Sequence, residues 1–264
     1  MPSTVAGLRH PKGPPEPEAS QGSGPFLLAF LESSVGSKLL VAVTGLSLVT
    51  FAVFHMIGNL KVFQGQQAIN DYAYFLKHSM GALIWIARAG LLVVFALHIT
   101  LAIRLKWRAV AARPVPYQYP GSVQATVSSR TMIWTGVVVG LFLVYHLAHY
   151  TFAIVGGVEV SPGKVVNFHD LADGSGRVDV YSMVVAGFSN PLVAGLYIVA
   201  QVVLFIHLLH GIQSSFQTLG LKNRRFSKAI KTLGIAVALT ILVGNLAIVV
   251  GVLTGTVPPL YPKV

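Results

Sequence analysis

Residues 39–60 read LLVAVTGLSLVTFAVFHMIGNL, an almost wholly apolar run without a single Asp, Glu, Lys or Arg. At about 1.5 Å of rise per residue, a helix of this length crosses a hydrocarbon layer about 30 Å thick. The Val, Leu and Ile content would also suit a buried strand, but the length of the run favours a helix. The stretch therefore predicts a transmembrane helix.

Four more runs of the same kind follow it, at residues 81–105, 131–156, 191–214 and 232–254. Only 10% of the residues are charged and the mean hydropathy is +0.70, whereas soluble domains carry about 25% charged residues. This composition excludes an ordinary soluble enzyme, a disordered chain and a coiled coil. We predict an all-α membrane protein with five transmembrane helices in one bundle, with no internal repeat evident.

The ends and connections of the chain complete this outline. Residues 1–32, rich in Pro, Gly, Ser and charge at their start, are predicted to be a flexible arm, and residues 33–264 the membrane domain. The segment DVYSMVVAGF, within the long 157–190 connection, is expected to form a short amphipathic helix on the membrane surface.

The basic residues predict the orientation. Of the 19 Lys and Arg residues, thirteen fall in the arm, at the start of the first span and in the two connections on the arm's side of the membrane. Because positive residues mark the cytoplasmic side, we expect the N-terminus to be cytoplasmic. The net charge of +11 is thus mainly a topology signal. It suits anionic lipid or an acidic protein partner rather than nucleic acid.

Histidine is the ionisable residue of the spans. Six histidines lie at membrane depth, where such groups are costly and are functional by default. They are His55, His98, His146, His149, His207 and His210. A helix–helix hydrogen bond explains one such residue, but it explains poorly a set spread over four helices.

The depths of these histidines define two levels. Counted from the ends of the spans, His55 and either His146 or His149 lie in the outer half, and His98 and either His207 or His210 lie near the inner surface. Two pairs of imidazoles without Cys or Met partners are what two bis-histidine b haems require, since each iron takes two axial nitrogens. Zinc suits the set less well, because the spans contain no Asp, Glu or Cys to complete a tetrahedral site.

Four fragments resemble one family in the same order along the chain. They are SSVGSKLLVAVTGLSLVTFAVFHMIGNL, SRTMIWTG with VYHLAHYTFA, DVYSMVVAGFSNP, and HLLHGIQSSFQTLGL. They resemble the cytochrome b membrane-anchor subunit of bacterial succinate dehydrogenases and fumarate reductases, specifically its five-helix, two-haem branch. The resemblance covers residues from about 33 to 230.

The resemblance implies the haem ligands. On the first two helices they are His55 and His98. On the third, the family's spacing of ten residues after Gly136 gives His146. On the fourth, the spacing of thirteen residues before Gly220 gives His207. His55 and His146 would share the outer haem, and His98 and His207 the inner one, which is the pairing that the depths also indicate.

The resemblance further implies the function. The chain would anchor an iron–sulfur subunit and a flavoprotein subunit in the bacterial cytoplasmic membrane, and pass electrons through two b haems to a quinone, with menaquinone expected. The succinate chemistry would belong to the partner subunits, because this chain has no cysteine for a cluster and no flavin-binding glycine motif. The alternatives are a di-haem anchor of another quinone-linked dehydrogenase, a histidine-lined metal transporter and a haem-free anchor.

Several residues keep two interpretations each. His149, His210 and Arg88 could contact haem propionates or a quinone, or could serve packing and, for Arg88, the lipid headgroups. Glycines 45, 90, 136 and 140 could admit a porphyrin or allow close helix packing. Candidate quinone contacts are Asn70, Asp71 and Tyr74 on the outer side, and Ser37, Lys38 and Gln213 on the inner side.

Overall fold

The computed structural model describes residues 26–112, 126–161 and 163–260. Most of the predicted arm lies outside these residues. Its last part forms helix α1 (Phe26–Glu32), and the division of the chain into an arm and a membrane domain stays a prediction. The sequence FLLAFLE is apolar and has no helix breaker, and Arg104 and Arg108 donate hydrogen bonds to the carbonyls of Leu31 and Glu32 at its end.

Five helices are long and apolar enough to cross a membrane, which confirms the predicted number of spans. They are α2 (Ser34–Asn59), α4 (Ala82–Ala111), α6 (Met132–His146), α8 (Pro191–Thr218) and α9 (Ser227–Leu253). The first continues through a 3-10 turn and the third through a π turn. Several helices run past the apolar runs, because their polar and basic end residues also favour helix.

Shorter elements join the spans. They are α3 (Gln66–Tyr74), α5 (Val127–Arg130), α7 (Val180–Ser189), and the antiparallel strands β1 (Gly157–Ser161) and β2 (Lys164–Asn167). The predicted helix within the 157–190 connection is thus present as α7. It does not lie exposed on the surface, since most of its side chains are buried against α3, α8, α9 and β1.

The helices follow a definite order around the bundle. Helix α2 packs against both α4 and α8, and α6 packs against α8. Helix α9 covers α8 and part of α2, with Ala238 and Ile241 buried against Leu208 and Ile212. In this order α2 and α6 lie diagonally across the bundle, as do α4 and α8.

The connections alternate between two faces. One face, which we call the arm side, carries α1, α5 and the starts of α2, α6 and α9. The other, the hairpin side, carries α3, α7 and the β-hairpin, and the hydrogen bond from Tyr181 to the carbonyl of Pro258 holds the segment that follows α9 there. That the arm side is cytoplasmic stays a prediction.

A buried carboxylate organises the hairpin side. Asp179 is fully buried and accepts hydrogen bonds from Gln66 Nε2 at 2.8 Å, from Ser182 Oγ at 2.6 Å and from Asn70 Nδ2 at 3.1 Å. Asn70 in turn accepts from the backbone N–H of Tyr181 at 3.1 Å. The network therefore ties α3 to the start of α7.

Ion pairs extend this network to the surface. Arg177 bridges Asp71 and Asp173. Burial raises the pKa of Asp173, but bonds from the backbone N–H groups of Arg177 and Ser175, the Arg177 guanidinium and the Asn70 amide outweigh it, so the pKa lies below its usual value. The charged form of Asp173 therefore stabilises the fold at pH values above 3.8, the ordinary pKa of the group. This contribution is lost as the pH falls through the lowered pKa of the folded protein.

Replacing Asn70 by Ala should lower the stability of the chain in detergent by about 1–3 kcal/mol, because a buried N–H and a buried carboxylate each lose a partner. The matched control is Gln67→Ala, an exposed position on the same helix, which should change stability little. Thermal unfolding of the two variants checks this, and equal losses would contradict the role assigned to Asn70.

Candidate functional site

One pair of histidines meets across the bundle. The rings of His55 on α2 and His146 on α6 have centroids 5.8 Å apart and planes at 89°. Two imidazoles that bind one metal from opposite sides, with metal–nitrogen bonds of about 2 Å, have centroids about 6 Å apart. Phe51, one turn before His55, stacks on its ring at 5.3 Å. The diagonal pair therefore has the spacing of two axial ligands.

A tyrosine holds one ring of this pair. The hydroxyl of Tyr197 on α8 lies 3.3 Å from Nδ1 of His146 and 3.0 Å from Nδ1 of His149. One hydroxyl has one hydrogen to donate, so it can donate to one ring and accept from the other. If it accepts from His146, Nε2 of that ring is left without a proton and can bind a metal.

His149 therefore supports the site from behind. It is buried, with 2% of its surface exposed; it stacks on Tyr145 and contacts the ring of Tyr150 at a tilt of 38°. The structure shows packing contacts for His149, and a contact with a propionate or a quinone stays a prediction.

The second pair is held by threonines. Nδ1 of His98 on α4 lies 3.2 Å from the hydroxyl of Thr44 on α2. That hydroxyl donates to the carbonyl of Leu40 at 2.6 Å, so its oxygen accepts from the ring. His98 is then protonated on Nδ1, and its Nε2 lone pair is available.

The same arrangement recurs on the other side of the bundle. Nδ1 of His207 on α8 lies 3.2 Å from the hydroxyl of Thr135 on α6. This hydroxyl donates to the carbonyls of Met132 and Thr131, at 3.0 and 3.2 Å. His207 therefore donates to Thr135, and its Nε2 is also left free.

Glycines let these two rings lie against the neighbouring helices. A Cβ at Gly45 would be 3.1 Å from Cε1 of His98, and one at Gly136 would be 3.3 Å from Cε1 of His207. Gly90 has nothing within 4 Å of such a Cβ, and Gly140 has Ile99 at 3.9 Å. Two of the four glycines singled out from the sequence thus accommodate the histidines directly.

The two pairs lie at two levels. Thr44 precedes His55 by eleven residues on α2, and Thr135 precedes His146 by the same number in the third span. Eleven residues of helix are about 16 Å. Because His98 and His207 lie beside these threonines, their level is about 16 Å nearer the arm side than that of His55 and His146.

These residues fit a bis-histidine haem better than a polydentate metal site. Within the described residues, no three His, Cys, Asp or Glu side chains are grouped to hold a metal ion. A haem iron needs only two axial ligands from the protein. His55 with His146, and His98 with His207, are the residues that could supply them.

Arg88 lies in a cavity of about 240 Å³ between α2 and α4, which Ser47 and Phe51 also line. Its guanidinium covers the ring of Trp85, 4.9 Å from the centroid. Burial, followed by the charge of Arg88, lowers the pKa of Lys77 on the hairpin side. A cation at this position suits either of the anionic partners expected for it, a propionate or a lipid headgroup.

Two of the candidate quinone contacts are otherwise engaged. Asn70 is 1% exposed and its amide is bonded within the hairpin side; it also lines the cavity beside Tyr74, and its role as a quinone contact stays a prediction. Ser37 is fully buried and donates to the carbonyl of Leu31. On a sequence alone both positions look like available polar groups near an interface.

The other candidates are distributed over both sides. Asp71 pairs with Arg177, and Tyr74 lines a cavity of about 250 Å³ and stacks on His78 at 4.3 Å. On the arm side Lys38 is exposed, Gln213 donates to the carbonyl of Leu209 at 2.8 Å, and His210 is half-buried.

Sequence reasoning missed Tyr197 and gave Thr44 and Thr135 no role of their own. A signal for the threonines was present, since each begins a Thr-Gly pair eleven residues before a histidine. Tyr197 carries no comparable signal.

Comparisons with protein-family models, curated proteins and solved structures give no significant match for this chain.

Replacing Tyr197 by Phe should destabilise the chain by about 1 kcal/mol, because it leaves the buried Nδ1 of His149 without its partner. Tyr145→Phe is the matched control, since it removes a hydroxyl from the same ring cluster without touching either Nδ1. Thermal unfolding in detergent distinguishes them. A Tyr197→Phe variant as stable as the control would show that the shared hydroxyl does not hold the rings.

Proposed function

We propose that this chain is the di-haem cytochrome b anchor of a bacterial succinate:quinone oxidoreductase. The observation that carries the proposal is the perpendicular pair of His55 and His146 across the bundle, together with a second pair of histidines one level away. When bound, each haem would supply one-electron redox chemistry. The four fragments that resemble this family support the choice of enzyme.

The chain's own residues would bind and insulate the haems. Nε2 of each of the four histidines would bind iron, and the hydrogen bonds at Nδ1 of three of them orient the rings. The exposed side chains of the spans are mostly large and apolar, so the surrounding medium is lipid rather than water. A site of this kind transfers electrons and does not offer the iron an open position for oxygen.

The charges suggest where the partners bind. Basic residues are concentrated on the arm side, at the end nearer the level of His98 and His207. We infer that an iron–sulfur subunit docks there from the cytoplasm, accompanied by a flavoprotein subunit that oxidises succinate. A membrane quinone would react near the level of His55 and His146, on the hairpin side, where Tyr74 and Asp71 offer polar atoms.

The decisive experiment is a reduced-minus-oxidised spectrum of the purified chain, with the haem quantified per polypeptide. We expect two b haems. His98→Ala and His207→Ala should each remove the same spectral component, and His55→Ala and His146→Ala should each remove the other. His169→Ala, at an exposed histidine of the hairpin side, is the control and should retain both.

Each other outcome has a definite meaning. A chain without haem would overturn the proposal and leave a haem-free anchor or a metal transporter. If the four histidine variants remove the two spectral components in any other combination, our pairing of the ligands is wrong. Isolation of the native complex with a partner other than a flavoprotein would assign the anchor to a different dehydrogenase.

A further inference from the structure

The chain contains a short duplication that its overall sequence does not make evident. Thr44 and Gly45 precede His55 in α2, and Thr135 and Gly136 precede His146 in the third span at identical spacing. Each Thr-Gly pair contacts a histidine of the next long apolar helix, His98 on α4 in the first case and His207 on α8 in the second. The two segments share this spacing although no internal repeat is evident along the chain as a whole.

Each pair acts on its histidine in two ways. The glycine leaves space for the ring, since a Cβ there would approach Cε1 to within 3.1 or 3.3 Å. The threonine hydroxyl donates its hydrogen to a carbonyl of its own helix and so can only accept from the ring. Neither ring can then turn over or change its tautomer without losing this bond in a medium that offers no water.

We propose that Thr44 and Thr135 are matched positioning residues that fix His98 and His207 in the Nδ1-protonated form and lower the reduction potential of the haem between them. This inference rests on the proposed function. A ring that donates from Nδ1 is a more basic ligand at Nε2, and a more basic ligand favours ferric over ferrous iron. Removing the acceptor should therefore raise the potential.

The hairpin-side pair differs in this respect. His146 shares the hydroxyl of Tyr197 with His149, whereas each arm-side ring has a threonine of its own and also a backbone partner, Val41 for His98 and Met132 for His207. The two haems would thus have ligands of unequal basicity although all four ligands are histidines. The arm-side haem is the one that should respond to the threonines.

The test is a potentiometric titration of the purified full-length chain carrying Thr44→Val, Thr135→Val or both. Valine keeps the shape of threonine and removes the acceptor. Losing the hydrogen-bond partner of a metal ligand typically weakens metal binding by about tenfold or more. If the affinity for ferric iron falls about tenfold relative to that for ferrous iron, the midpoint potential rises by about 59 mV for a one-electron couple. The shifts should add in the double variant, because the two threonines act on opposite ligands.

The controls separate hydrogen bonding from packing. Thr44→Ser and Thr135→Ser restore an acceptor and should restore the potential. Thr50 lies on the same helix, α2, and its hydroxyl donates to the carbonyl of Leu46. Thr50→Val removes this hydroxyl and should change neither midpoint potential. The component that shifts must be the one lost in His98→Ala. A valine variant that loses the arm-side haem altogether also supports the proposal, provided that the serine variant at the same position retains this haem.

Three results would overturn it: unchanged midpoints in both valine variants, equal effects of valine and serine, or a shift confined to the other haem. If the wild-type chain holds no haem, the proposed function fails, and imidazole ¹⁵N shifts of the haem-free chain test the positioning role alone. They should report a protonated Nδ1 at His98 and His207 in the wild type. In the corresponding valine variants only the backbone partners Val41 and Met132 remain, so the ¹⁵N shifts of His98 and His207 should move, and unchanged shifts would reject the role.

Discussion

A threonine hydroxyl in a membrane helix has one hydrogen, and with no water at hand it donates this hydrogen to a carbonyl one turn back. Ser47 and Thr50 do so in α2, as Thr44 does. What remains is an oxygen that can only accept. Where the ring of a neighbouring helix lies beside it, as His98 lies beside Thr44, the direction of the bond between them is determined. The arrangement of the second histidine pair depends on this constraint.

The hairpin side follows the same rule with a charged acceptor. Asp179 is removed from water entirely, and such a carboxylate is tolerated only when several donors surround it. Gln66, Asn70 and Ser182 supply them from α3 and α7. The segments that cover the hairpin end of the bundle are thereby joined through one residue, although they are more than a hundred residues apart in the chain.

The five spans could be predicted from the sequence because lipid leaves an apolar run of this length almost no other structure. The pairing of His55 with a histidine of the third span follows from depth, since helix rise converts position into height. The supporting residues could not be found in this way. Thr44, Ser47 and Thr50 look alike in the sequence, and only the packing of α4 against α2 distinguishes the first of them. Asn70 looked available because its partner, Asp179, is a hundred and nine residues away.

The place of α8 in the bundle has a consequence for biosynthesis. A chain made from its N-terminus inserts α2, α4 and α6 first, yet α6 packs chiefly against α8, and α8 also provides Tyr197 and His207. The hairpin-side pair lacks Tyr197 until the ribosome has passed residue 197, and the arm-side pair lacks His207 until it has passed residue 207. The four histidines and their supporting residues therefore reach their final arrangement only after the fourth span has been made.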